Sequence, residues 1–482
     1  MTETFGHFID GEERESLDGA RFDSVDPYTQ ETWANAALGG APEADLAVSA
    51  ARKAFDEGPW PRMGVTERSE LLHNFADVIE AHADELSLAE TRDMGKPTAA
   101  VKGGDVRHTV DGFRFYADHA RLATAEVLPM DTGHHTYTRY EPAGVVAAVA
   151  PWNYPMMLGS SKVAPALAWG NTVVLKPAED TPATATILAR LAVEAGIPPG
   201  VFNVLQGYGP ASAGSALTED PRVDRITFTG ESNTGRIIAG AAARNLTPVS
   251  LELGGKGANL VFADADLDKA VDWSIKGIFN NSGQICIGGS RIYVQRPILD
   301  EFLARLVAAA EQLTLGDPKN AGTQLGPLSS QGHYEKVLRY VDHAASGGGG
   351  KMLTGGPAGG WFIKPTIVSD VPAGGRLQRE EIFGPVVTVT PFDTEPDAIR
   401  AANDTPYGLS ALVFTENLSR AHRVARQLRA GTVWTNCCFV KDPRAPFGGV
   451  GDSGLGREGG TFSRDFFTEP KAVTMAIEGV MS

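Results

Sequence analysis

At 482 residues the chain exceeds one ordinary hydrophobic core, so two or three subdomains are expected. Its 42% hydrophobic content is that of a globular protein, and a formal charge of −16 with no offsetting basic run argues against a nucleic-acid or anionic-membrane partner. Three cysteines fit free thiols in a reducing compartment better than a disulfide framework; no secretory signal or membrane-length apolar window is visible, so the cytoplasm is the expected location.

The stretch to about Tyr140 reads as helical, because residues 44–55, 68–90 and 104–123 carry apolar side chains at three- and four-residue spacing. From Gly144 the pattern changes. Strands are expected over 145–150, 172–176, 202–204 and 225–229, with helices over 156–168, 183–194 and 234–243. Such alternation implies right-handed crossovers and a parallel sheet covered on both faces, with ligands at the carboxyl ends of its strands. A second alternating region follows Glu252: helices over 267–279, 298–312, 334–345 and 418–429, and strands over 290–294, 386–391, 411–414 and 432–435. The glycine-rich runs 346–350 and 355–360 read as a surface loop, and the tail 466–477 alternates again. No internal repeat is evident. The pattern gives two α/β lobes, with a pocket expected at their junction.

Cys286 follows Asn281-Ser282-Gly283-Gln284 and precedes Gly288-Gly289-Ser290, a poor core segment and a good exposed turn. A lone cysteine is more often a small buried hydrophobe. Cys437 and Cys438 sit in an apolar context after Val433-Trp434; they could line a pocket but are not nucleophile candidates. Glu252 ends the strand over 248–251 and precedes Gly254-Gly255; in an apolar pocket its pKa would rise, making it a candidate general base, whereas in solvent it is an ordinary strand-end carboxylate. Pro151-Trp152-Asn153-Tyr154-Pro155 lies just beyond the first parallel strand, and the prolines can hold the Asn153 amide toward the crevice, suited to a developing oxyanion. Phe228-Thr229-Gly230-Glu231 joins a strand to a helix N-terminus, which favours phosphate, although the spacing is not G-x-G-x-x-G. Lys176 and Glu179 could hold ribose hydroxyls, and a carboxylate there would repel a 2′-phosphate, favouring NAD over NADP. Glu380-Glu381-Ile382-Phe383-Gly384-Pro385 has no neighbouring His or Asp at ligand spacing, so no metal site is expected. A ribose-holding Glu beside a packing Phe is the other reading.

Together these pieces resemble the aldehyde dehydrogenase superfamily through nearly the whole chain. The marks, in order, are Pro151-Trp152-Asn153, Lys176-Pro177-Ala178-Glu179, Phe228-Thr229-Gly230, Leu251-Glu252-Leu253-Gly254-Gly255-Lys256, Gly283-Gln284-Ile285-Cys286, Glu381-Ile382-Phe383-Gly384-Pro385 and Pro446-Phe447-Gly448-Gly449. The resemblance implies an α/β fold in three parts. These are a Rossmann-like parallel-sheet NAD-binding domain (1–123 and 141–251), an α/β catalytic domain (252–450) and a small β oligomerisation element (124–140 and 466–482) of a homodimer or homotetramer. It also implies roles. Cys286 attacks a small-molecule aldehyde, the Asn153 amide and the Cys286 backbone N–H hold the oxyanion, Glu252 activates the hydrolytic water, and Lys162 approaches the cofactor or Asn153. Trp152, Lys176, Glu179, Gly209, Thr229, Gly230, Leu253, Glu381 and Phe383 are implied cofactor residues. Glu231 joins them where many members have Ser, an acid beside the pyrophosphate.

The run from Asn436 to Gly449 looks most like the muconic-semialdehyde branch, in which an Arg matching Arg444 grips the substrate carboxylate. Lys441 and Pro443 depart from that branch's pattern, and the position of a second carboxylate-binding Arg aligns with His108, with Arg107 next to it; Cys438 completes the implied substrate residues. The leading expectation is an NAD-dependent dehydrogenase for a carboxylated semialdehyde from aromatic ring cleavage. A broad-specificity or betaine-type dehydrogenase, in which Arg444 is idle, is the alternative. A cofactor-independent thiol esterase and a catalytically silent binding protein are readings from other classes.

Overall fold

The computed structural model describes residues 2–477; Met1 and residues 478–482, which fall within the first and third expected domains, lie outside the described residues. Two large sheets organise the chain. In the eight-stranded sheet five parallel neighbours run in the spatial order Val249–Glu252, Arg225–Thr229, Val145–Val149, Thr172–Lys176 and Phe202–Val204. Antiparallel partners close both edges: Gly454–Leu455 at one, His7–Ile9 with Glu12–Arg14 at the other. Successive strand residues face opposite cores. Val146, Ala148, Val173 and Leu175 join one buried cluster, while Val145, Ala147, Val149 and Val174 join another. Both faces are covered, which is why these strands read as continuous apolar runs.

The chain steps outward from Val145–Val149 to Phe202–Val204, then returns to place Arg225–Thr229 on the other side of its starting strand. That reversal opens a crevice at the carboxyl ends of Val145–Val149 and Arg225–Thr229. Trp152, Asn153 and Gly230 follow those two ends directly.

The seven-stranded sheet has the order Lys351–Pro357, Ile363–Ser369, Val386–Phe392, Arg291–Gln295, Ala258–Val261, Ser410–Phe414 and Thr432–Thr435, parallel except at Lys351–Pro357. Only Leu253 to Gly257 separate the last parallel strand of the first sheet from Ala258–Val261, an interior strand of the second. A third sheet pairs Thr468–Ala476 with His134–Pro142 and Val127–Leu128, leaving Thr468–Ala476 as a largely exposed edge.

Several elements differ from the sequence expectation, the strands Ala258–Val261 and Ile363–Ser369 among them, neither of which was expected. Five short strands, Glu3–Phe5, His7–Ile9, Glu12–Arg14, Arg21–Asp26 and Glu31–Ala37, precede the first helix, where a helical opening was expected. Their apolar residues are too sparse to alternate; long-range pairing with the main sheet and with one another defines them. The expected 68–90 helix is two, Val65–Ala81 and Ala83–Met94, broken at His82. Gly355 and Gly356 belong to the edge strand Lys351–Pro357, whose register shifts absorb them.

Candidate active site

Cys286 is delivered by an unusual turn. After the helix Leu267–Phe279, Asn281, Ser282 and Gly283 all have positive φ (50°, 54° and 75°), and side-chain bonds hold this strained run in place. Asn281 Nδ2 donates to Asn153 O (2.8 Å), Asn153 Nδ2 donates to Gln284 O (2.9 Å), and Gln284 Oε1 accepts from Ser329 N (3.0 Å). Ser282 Oγ donates to Gly326 O (2.7 Å). Asn153 is thus buried beside the cysteine turn with one amide hydrogen engaged, and both Asn153 and Cys286 border the crevice. From the other sheet, Gly255 presses against the turn: a Cβ there would lie 2.5 Å from Cys286 O, so only glycine permits this approach.

The Cys286 thiol is half-buried against an apolar cluster that includes Ile285, Ile287, Trp434 and Phe447. Burial pushes its pKa up to about 11; the Lys441 ammonium pulls it down, and Glu381 and Glu252 push it up. Glu252, at the end of its strand, is buried, and neither carboxylate oxygen has a hydrogen-bond partner among the described residues. Burial raises its pKa well above the usual carboxylate range. Glu458 adds to that, while Lys162, Lys441 and Arg457 oppose it. Lys162, fully enclosed on the helix Pro155–Ala168, donates to Glu458 Oε1 at 2.9 Å. The sequence reading did not single out Glu458; its only signal is a carboxylate set in the glycine-rich run Gly456 to Gly460.

Trp152, Thr229, Gly230, Glu231, Leu253, Glu381 and Phe383 line the same crevice. The rings of Trp152 and Phe383 meet edge to face at 5.3 Å. Phe383 has φ +62°, and His333 Nε2 donates to its carbonyl (2.7 Å); burial lowers the His333 pKa to about 4, so the ring is neutral. His333 and Lys336 also line the crevice and escaped the sequence reading, although their i, i+3 spacing on the helix Gln331–Ala345 puts them on one face. Glu381 Oε1 accepts from Gly255 N at 2.7 Å, and burial raises its pKa. Lys176 and Glu179 lie away from this lining, at the end of the neighbouring strand, with Lys176 Nζ 3.5 Å from Glu179 Oε2 and donating to Pro177 O (2.9 Å). Gly209 packs under the helix Ala213–Glu219, where its carbonyl accepts from Ser215 N.

The residues fit a dinucleotide. Thr229 Oγ1 is a buried hydroxyl without a partner among the described residues, Glu231 caps the helix Ser232–Asn245 through its backbone alone, and the crevice is walled by an aromatic pair and a ribose-ready carboxylate.

A second cavity opens on the far side of Trp434 and Phe447, bordered by His108, Tyr116, Leu158, Lys441, Asp442 and Glu458 among others. The structure does not bring Arg444, Arg107 or Cys438 to it. Asp442 accepts from Arg444 N, Nε and Nη2, folding the guanidinium back on a tight turn and leaving it 77% exposed. Arg107 is equally exposed and lies 3.6 Å from Asp111. Cys438 is sealed in the core of the second sheet with Sγ 3.7 Å from Trp273 O. His108 does reach the cavity and donates Nδ1–H to Gly104 O at 2.9 Å.

The aldehyde dehydrogenase family model matches residues 14–473. A 2-hydroxymuconic semialdehyde dehydrogenase of Pseudomonas sp. (strain CF600) is 47% identical, with 98% of this chain and 99% of that protein covered. A 2-aminomuconic 6-semialdehyde dehydrogenase of Pseudomonas sp. is 43% identical, with 98% of each covered. An indole-3-acetaldehyde dehydrogenase of P. syringae, solved in complex with NAD+ and IAA, superposes with a TM-score of 0.96 at 40% identity, covering 99% of this chain and 97% of that one. With a family model matched over residues 14–473 and this extent of similarity, the chain belongs to the aldehyde dehydrogenase family.

Proposed function

We propose that this aldehyde dehydrogenase uses NAD to oxidise a carboxylated semialdehyde of the kind produced by aromatic ring cleavage. The observation that carries the reading is the position of Cys286: it borders the dinucleotide crevice and packs against the same apolar cluster as Phe447, which walls the second cavity. An aldehyde entering there meets the sulfur, and the cofactor approaches from the opposite side. The identity of 47% with a 2-hydroxymuconic semialdehyde dehydrogenase supports the substrate class.

The chain's own residues act in sequence. The Cys286 thiolate adds to the aldehyde carbon, and the resulting oxyanion accepts from the Asn153 amide and the Cys286 backbone N–H. NAD, when bound, supplies the hydride acceptor that leaves a thioester on sulfur. Glu252, whose buried carboxylate has no hydrogen-bond partner among the described residues, takes the proton of the water that attacks that thioester, and the acid departs. Lys162 and Glu458 stand behind Glu252 and set its proton affinity from opposite directions. Glu381 and Phe383 hold the nicotinamide half beside Trp152, Gly230 meets the pyrophosphate, and Lys176 and Glu179 lie toward the adenosine ribose.

The exposed edge Thr468–Ala476 suits pairing with a second copy, so the chain assembles as a homodimer or a pair of dimers. Three free thiols suit the reducing cytoplasm. We divide the chain into the NAD-binding, catalytic and oligomerisation parts at the boundaries expected from the sequence.

Steady-state NADH formation across an aldehyde panel tests the reading. Cys286→Ala abolishes turnover, and carboxylated semialdehydes have the highest kcat/KM. A neutral or cationic aldehyde as best substrate overturns the substrate class; turnover by Cys286→Ala overturns the mechanism.

A further inference from the structure

The charges around the second cavity are unbalanced in one place. Three acids border it, and each already faces a cation: Asp111 faces Arg107 (3.6 Å), Asp442 holds Arg444 (2.6 Å), and Glu458 holds Lys162 (2.9 Å). Lys441 differs. Among the described residues no carboxylate lies within ion-pair distance of its ammonium, which instead sits 3.7 Å from the centroid of the Phe447 ring. The residue as a whole is exposed, but burial around the ammonium lowers its pKa, with Cys286 first among the charges that oppose the shift, ahead of Glu458 and Glu252. The surrounding wall is largely apolar, with Leu158, Trp434 and Phe447 beside it. An unpaired cation against an apolar wall is stabilised by any anion that enters.

We propose that Lys441 is the specificity-determining residue of this cavity: it binds the carboxylate of the incoming semialdehyde, the part that Arg444, folded onto Asp442 outside the cavity, does not reach. The inference rests on Cys286 as the site of reaction. The ammonium is the one cation of the cavity with hydrogens to donate to a new partner, and a charge-assisted bond in an apolar setting discriminates strongly against a neutral isostere. Ionic strength weakens the preference, because the cavity mouth is open to solvent.

The test uses adipate semialdehyde and its methyl ester, two six-carbon aldehydes that differ in the charge of the far end. In the wild type the acid has the higher kcat/KM. Lys441→Met lowers the acid-to-ester ratio by roughly ten- to hundred-fold. Lys441→Arg restores most of it, and Arg444→Ala retains the wild-type ratio. Equal losses for acid and ester in Lys441→Met overturn the proposal; a simultaneous upward shift in the pH profile of iodoacetamide alkylation would then assign Lys441 to the thiol instead. A collapse of the ratio in Arg444→Ala also overturns it. Oxidation of the ester by the wild type and not by Cys286→Ala secures the reading of the reaction independently, so either outcome for Lys441 bears on the anchor alone.

Discussion

Gly448 offers a way to disable the proposed hydrolytic base, Glu252, without altering it. It lies in the turn Pro446-Phe447-Gly448-Gly449 at φ +148°, and a Cβ added there would stand 2.6 Å from Glu252 Oε1 and 2.9 Å from Arg457 Cδ. Ordinary contact begins at 3.4 Å, so in Gly448→Ala the Glu252 carboxylate must retreat by about 0.8 Å. Glu252 is 4% exposed, and the retreat cannot be into solvent. Overpacking of this kind costs about 1–3 kcal/mol of stability. Misplacing a catalytic group by about 1 Å slows its step by roughly a hundred-fold. The step affected is thioester hydrolysis, which follows hydride transfer; the first turnover is therefore spared. Rapid mixing with saturating NAD and aldehyde should show a burst of NADH near one per active site, then a steady rate roughly a hundred-fold below wild type. Intact mass spectrometry should find the acyl group on Cys286. Glu252→Gln, which adds no bulk, should give the same burst. A Gly448→Ala enzyme whose burst and steady rates fall together, or whose steady rate equals that of the wild type, would refute the assignment of Glu252.

Other consequences are accessible to simpler measurements. With the thiol held up to about 11 by burial, iodoacetamide inactivation of the cofactor-free enzyme should accelerate with each pH step through pH 10; a plateau by pH 9 contradicts the geometry around Cys286. Lys162→Ala removes one member of an enclosed ion pair, destabilising the fold by roughly 3 kcal/mol. It also removes a charge that lowers the Glu252 pKa, so the rising limb of the pH–rate profile for hydrolysis moves to higher pH. An unmoved limb separates Lys162 from the base. His7 is fully buried, with Nδ1 accepting from Gln206 N (3.1 Å), and burial lowers its pKa from 6.5 to about 4. The unfolded chain therefore binds this proton first, and stability falls as pH drops from 6.5 toward 4, by roughly 3 kcal/mol. Urea titrations at both pH values, with His7→Asn as reference, check the difference; equal pH sensitivity in the two proteins argues against it.

Much of the architecture was legible in local pattern. Strands Val145–Val149 and Thr172–Lys176 are buried along their whole length, so each is a near-continuous apolar run bounded by polar or glycine punctuation. The strands before Ala41 were not legible, because they are short, half exposed and stabilised by partners distant in the chain. At the site, Asn153, Glu252 and Cys286 stood out because each is a reactive group set among glycine, proline or apolar residues. His333 and Lys336 did not, since each sits among ordinary helix residues, and Glu458, although flanked by glycines, gains meaning only from the Lys162 it faces.

The order of its motifs, by itself, determined the family of this chain and the candidate nucleophile and base, because glycine turns and isolated polar groups leave a local signature that survives without coordinates. Which charge faces the substrate was decided by tertiary structure alone. Lys441 and Arg444 are three positions apart and equally cationic in the sequence, yet a tight turn folds one onto Asp442 in solvent and lays the other over Phe447 inside the cavity. Side-chain direction on an irregular loop depends on its distant packing partners, and no local spacing encodes it.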